Sequence, residues 1–165
     1  MEERHIKNSG NNTVYETGAK REVREGKGRC DLLTLDVLDE YMDDDILYNF
    51  HCFINTGDTV HLFHNLKRFA DKHQWDDPTM ILEVSKHFEE GSKIYGEWNW
   101  QKGLLVKDYV SSAIRHYLKW LRGDKDEPHD RAFVWNILCC IWTCNHKPEL
   151  NDYAKKEGGN NEEAV

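Results

Sequence analysis

The stretch from Arg131 to Cys144, "RAFVWNILCCIWTC", restricts the possible folds more than any other part of the chain. It is apolar nearly all round, and a helix without a polar face belongs in the middle of a bundle. Two amphipathic helices precede it. Asp77-Pro78 reads as a helix entry, an N-cap acid followed by proline at the first position. From there Ile81, Val84, Phe88 and Tyr95 recur at helical spacing until Gly96 closes the run. A second helix, from about Lys107 to Arg122, carries Val110, Ala113, Ile114, Tyr117, Leu118 and Leu121 and ends at Gly123. No strand alternation competes in this half, so the expected fold is all-α, a helical bundle with a central buried helix and a basic N-terminal arm. Trp135 and Trp142, seven residues apart, share a helix face and should both be largely buried.

The upstream half is less regular. Residues 31–42 suggest a short helix with Leu32, Leu35 and Leu38. In 43–76, "ILYNFHCFI" fits strand or helix, while "TVHLFHNLKRFADKH" has helical spacing, so the region is read as mainly helical. Residues 1–17 read as a flexible arm and 151–165 as a flexible tail. The 165 residues thus hold one domain, 18–150. No apolar run approaches the roughly 20 residues that span a bilayer, and no hydrophobic leader opens the chain, so a cytoplasmic protein with no membrane contact is expected. The net charge of −8 argues against a broad nucleic-acid-binding surface. Five cysteines with no paired framework favour reduced thiols. Cys140 and Cys144, with His146 nearby, have metal-ligand spacing, but three cysteines in the most apolar segment more simply belong to the core.

One anionic molecule still fits this charge balance, because the basic residues are concentrated. Lys20, Arg21, Lys27 and Arg29 crowd "GAKREVREGKGRCDLL", where Gly26 and Gly28 allow close backbone approach and Asp31 is placed to fix Arg29. They meet either a phosphate-bearing ligand or acids of the same fold. Acids gather elsewhere: Asp124, Asp126, Glu127, His129 and Asp130 within seven residues, and Glu83, His87, Glu89 and Glu90 on the first strong helix. Oxygen-rich clusters on facing helices hold hard divalent cations in bundles. The plainer reading makes Asp126 a helix cap and leaves at least one of Glu89 and Glu90 in solvent. Arg115-His116 is a phosphate-side pair or an ordinary surface pair. Asn136, inside an apolar helix, must find partners, most simply in a core hydrogen bond. The doublet His129-Asp130 occurs in HD phosphohydrolases, but here the only later aspartate is Asp152.

Taken in order, "GAKREVREGKGRCDLL", "EEGSKIYGEWNWQKG", "AIRHYLKWLRGDKDEPHD" and "WNILCCIW" resemble the phage-type dATP/dGTP diphosphohydrolases, relatives of the MazG-like all-α nucleoside triphosphate pyrophosphohydrolases. The resemblance covers 18–38 and about 80–143, leaving about 43–76 as an insertion. It implies hydrolysis of a deoxypurine triphosphate to monophosphate and pyrophosphate, with Mg²⁺ or Mn²⁺ held by carboxylates, in the cytoplasm of a phage host. By position it implies Glu89, Glu90 and Glu127 as catalytic candidates. The metal would fall to Glu90, Asp124, Glu127, His129 and Asp130. The substrate would fall to the basic stretch with Lys93, Asn99, Arg115 and His116. The chain lacks the Glu-x-x-Glu of MazG-like proteins on its first strong helix, while Glu127 to Asp130 supplies a Glu-x-x-Asp. A homo-oligomer is expected. The rival reading is a non-enzymatic helical adaptor that binds a host factor.

Overall fold

A computed structural model describes residues 3–154. Six helices follow a short antiparallel hairpin. The hairpin pairs β1 (Asn12–Val14) with β2 (Lys20–Glu22), Thr13 opposite Arg21. The helices are α1 (Leu35–Met42), α2 (Asp45–Thr56), α3 (Val60–His73), α4 (Asp77–Tyr95), α5 (Val106–Arg122) and α6 (His129–His146). The molecule is an all-α bundle, and the hairpin is its only sheet among the described residues.

Helix α6 is the centre, as its composition requires. It packs chiefly on α5 and also on α4 and α3. Phe133, Val134, Ile137 and Cys139 have almost no exposure. Phe133 meets Phe69 of α3 at 4.4 Å between ring centroids, Tyr117 of α5 at 5.5 Å and Phe50 of α2 at 6.2 Å. Helices α2 and α3 therefore build part of the central core. Trp135 and Trp142 depart from expectation, because both are only half-buried. Trp135 lines a cavity, and Trp142 stacks on His146 at 4.4 Å near the end of the helix.

The helix ends follow local chemistry with small shifts. In α4 the capping carboxylate is Asp76, which accepts the Thr79 N–H, and Asp77-Pro78 fills the first turn. Its core face is Met80, Val84 and His87, while Ile81 is exposed. The apolar stripe read from sequence is therefore rotated by about one residue. Gly96 and Gly123 close α4 and α5 at positive φ, as glycine permits. Leu121, expected inside, is exposed in the last turn. The 31–42 helix starts only at Leu35, and Leu32 lies exposed in a preceding 3₁₀ turn. Asp44 caps α2 through the N–H groups of Ile46 and Leu47 and also accepts the Tyr117 hydroxyl.

The N-terminal stretch lies against the bundle instead of leaving it. Arg4 meets Asp130, the Ile6 N–H donates to Glu90, and Lys7 meets Asp126 and Glu127. Of the expected tail, Tyr153 packs edge-on against Phe53, and residues 155–165 lie outside the described residues. All five cysteines are free thiols. Burial pushes the Cys139 and Cys140 thiols well up, and His146 turns its Nδ1 to the Trp142 carbonyl.

Candidate active site

The hairpin, the C-terminal half of α4, the 96–104 connector, the middle of α5 and the start of α6 enclose a cavity of about 840 Å³. That is ample for a nucleotide-sized ligand. Its walls have three different characters.

At one end, imidazoles and carboxylates converge where α6 begins. Pro128 occupies the N-cap position without a side-chain cap, which frees the neighbouring acids for other contacts. Asp126 is thus not the expected cap. Its carboxylate accepts from Lys7 Nζ at 2.9 Å and meets His129 Nε2 at 2.7 Å. These two contacts, Lys7 first, hold Asp126 well below the usual carboxylate range. His129 is fully buried, and its Nδ1 lies 2.9 Å from Nδ1 of His116 on α5, so one nitrogen donates and the other accepts. Burial, then the adjacent Arg115 guanidinium, pushes His116 well below its ordinary range and keeps it neutral. Arg115-His116 is therefore no simple surface pair. His116, Glu127 and His129 each offer a ligand atom, all within 4.8 Å of one another, as do Asp124, Asp126 and His129. Imidazoles and carboxylates at this spacing fit a divalent cation.

The second wall is cationic. Strand β2 turns Arg21 inward, where its Nη2 donates to Asn136 Oδ1 at 2.7 Å. Asn136 thus finds its partners in Arg21 and the Ala132 carbonyl. The guanidinium lies over the rings of Tyr109 and Trp135, 5.8 and 5.9 Å from their centroids. Its Nη1 is buried without a partner. Arg115 sits close enough that burial, with the Arg21 charge, lowers its pKa. Lys20 and Lys27 line the same side, Lys27 paired with Glu22 at 2.6 Å. Arg24 joins them, anchored by Asp108, which also accepts the Tyr15 hydroxyl.

The third wall is aromatic, with Phe88, Trp98, Trp100 and Trp135. Asn99 holds this connector to the hairpin. Its side-chain amide bonds both the N–H and the carbonyl of Lys20, so it has a structural task on the cavity wall.

Several residues expected at the site lie elsewhere. Arg29 forms a two-pronged pair with Asp31, at 2.8 and 2.6 Å, outside the cavity. Lys93 is exposed and paired with Glu89, whose carboxylate faces solvent at the cavity rim. Glu90 is half-buried beneath the N-terminal stretch, taking the Ile6 N–H and lying 3.4 Å from His5 Nδ1. Asp124 stays beside Asp126 and His129 but is paired with Arg122. Asp130 points away toward His73 and Arg4. Burial alone would raise it, but the Arg131 N–H, His73 and Arg4 hold it low. His116 as a ligand candidate was missed from sequence, whereas Asp126 was counted in the acidic cluster but most simply read as a cap. The i, i+3 spacing of Asp126 and His129 was the available signal. The inward turn of Arg21 had none.

No curated protein and no solved structure matches the chain. A family model does: the one described as dATP/dGTP diphosphohydrolase, N-terminal, matches residues 64–153, from within α3 through α6 and beyond, and the chain belongs to that family.

Proposed function

We propose that this cavity hydrolyses dATP or dGTP to the nucleoside monophosphate and pyrophosphate with the help of a divalent cation. The observation that carries the reading is Arg21. In a chain of net charge −8, its Nη1 is buried without a partner, near Arg115 and in the cavity that His116 and Glu127 also line. Such a group awaits an anion, because an unpaired buried donor is unfavourable until something accepts from it.

His116, Asp126, Glu127 and His129 would hold Mg²⁺ or Mn²⁺, the imidazoles favouring Mn²⁺. The bound cation would lower the pKa of water and offset phosphate charge. The chain's own groups do the rest. Arg21 and Arg115 grip the triphosphate and leave its α-phosphorus facing the acidic end. Glu127 accepts a proton from the attacking water. The water oxygen bonds to the α-phosphorus, the bridging α–β P–O bond breaks, and pyrophosphate leaves against Lys20 and Lys27. Lys7, which now pairs with Asp126, must give way where a cation takes its place.

The test is turnover against a panel of nucleoside triphosphates, with and without a chelator, with products separated by ion-exchange chromatography. Deoxypurine substrates should yield monophosphate and pyrophosphate, and chelation should stop the reaction. Release of inorganic phosphate, or no turnover with any divalent metal, would overturn the reading.

A further inference from the structure

The reaction engages only the cationic and acidic walls, which leaves the aromatic wall without a task. Trp98 is the odd residue there. It is 64% exposed at the cavity mouth, and its backbone sits at φ 60, in the left-handed region that bulky side chains rarely adopt. Both features are unfavourable in themselves, and neither serves the core. Trp100 and Trp135, by contrast, have established neighbours. Trp100 meets Phe88 at 5.7 Å and Trp142 at 5.2 Å, and Trp135 lies under the Arg21 guanidinium. Among the described aromatic rings Trp98 meets only Trp100, at 6.2 Å and tilted by 49°. Its indole face is therefore open to a ligand.

A polar group lies behind this wall. His87 of α4 is only 9% exposed, borders the cavity 5.6 Å from the Trp135 ring, and has a buried Nδ1 with no partner. An open aromatic face beside an unsatisfied imidazole nitrogen is the chemistry that recognises a flat heterocycle with hydrogen-bonding edges.

We propose that the aromatic end is the base site, with Trp98 as the platform on which the purine stacks and His87 Nδ1 as the hydrogen-bonding contact to its edge. This rests on the nucleotide-hydrolase reading and adds the residues that select the base. The larger purine ring covers more of an indole than a pyrimidine does, so stacking on Trp98 favours purines. His87 then discriminates between purines by what their edges donate or accept.

The experiment compares dGTP, dATP, dCTP and inorganic tripolyphosphate by calorimetry on the full chain, as wild type, Trp98→Ala, Trp98→Phe and His87→Gln. Trp98→Ala should weaken dGTP binding at least about tenfold, the scale of one lost base–aromatic stack. It should weaken dCTP less and leave tripolyphosphate unchanged, and Trp98→Phe should restore most of the dGTP affinity. His87→Gln should change the dGTP-to-dATP preference without affecting tripolyphosphate. Unchanged tripolyphosphate binding also reports that each variant is folded. Wild type that binds both probes, with dGTP affinity unchanged in Trp98→Ala or lost equally for both probes, overturns the base site while leaving the phosphate site standing. Wild type that binds neither probe overturns both.

Discussion

Arg21 and Arg29 lie eight residues apart in one basic stretch, yet their surroundings differ completely. Arg29 has both prongs satisfied by Asp31 and lies outside the cavity, whereas Arg21 has a buried Nη1 without an acceptor. Arg21→Ala should therefore lower kcat/KM by about one to two orders of magnitude, the loss expected for a charged hydrogen bond. Lysine should not restore it, because only the planar fork serves Asn136 and a phosphate together. Arg29→Ala should leave kcat/KM near wild type, and steady-state kinetics on the pair would check the assignment. Glu127→Gln keeps the shape of its residue and removes the charge. Turnover should fall at least about a hundredfold, within the range for a general base, with the helical circular dichroism unchanged. Near-normal turnover would leave Glu127 only its contact with the Lys7 N–H.

Helix α4 shows how one element links the core to the cavity. It buries Met80, Val84 and His87 on one face while Glu89 stays in solvent. Burial, with help from the Arg131 and Arg21 charges, pulls His87 down from 6.5 to about 3. Between those values the unfolded chain takes up a proton that the fold refuses. The contribution of neutral His87 is complete above pH 6.5 and is lost progressively as the pH falls toward 3. Over that window stability should fall by about 1.4 kcal/mol per pH unit from this group alone. Urea unfolding from pH 7 downward should show a slope shallower by that amount in His87→Gln. An identical slope would mean that other groups govern the acid side.

For the whole molecule, the interlocking of α3, α5 and α6 sets stability, and the ligand-atom cluster is where a response to metal is predicted. Phe69 is fully buried against Phe133, Trp120 and Tyr117. Phe69→Ala should destabilise by roughly 3–5 kcal/mol, measured by denaturant unfolding. Mn²⁺ at a hundred times its Kd should stabilise the protein by about 2.7 kcal/mol, and the effect should vanish when Asp126 and Glu127 are both changed to their amides. A melting temperature raised equally in that double variant would place the metal elsewhere. Val37, Tyr41 and Tyr48 are exposed on α1 and α2, and a homo-oligomer that covers them is a prediction. Sedimentation should then show an oligomer that Tyr41→Glu dissociates.

The bundle and its centre were legible in the sequence because they depend on patterns local to each helix. The all-round apolarity of α6, the 3–4 spacing in α5 and the glycines that end α4 and α5 act through nearest turns, and they fold as read. Of the four ordered segments that carried the resemblance, the last three fall within the matched residues 64–153, and the basic stretch lies outside them. The site was only partly legible, since it depends on which side chains meet from distant elements. Lys20 and Arg21 joined a three-residue strand that sequence did not signal, because its pairing and the Asn99 clamp are long-range contacts. A rotation of about one residue on α4 put His87 inside and Ile81 outside, a shift that periodicity alone does not resolve. Asp126 was read as a cap because local logic puts acids at helix starts. Tertiary structure instead gave it His129 and Lys7, since a charged carboxylate takes the strongest donors within reach. Sequence by itself determined where helices form and which of them is central. Only the packed structure decided which side chains meet from distant elements and which donors, Arg21 Nη1 among them, were left without partners.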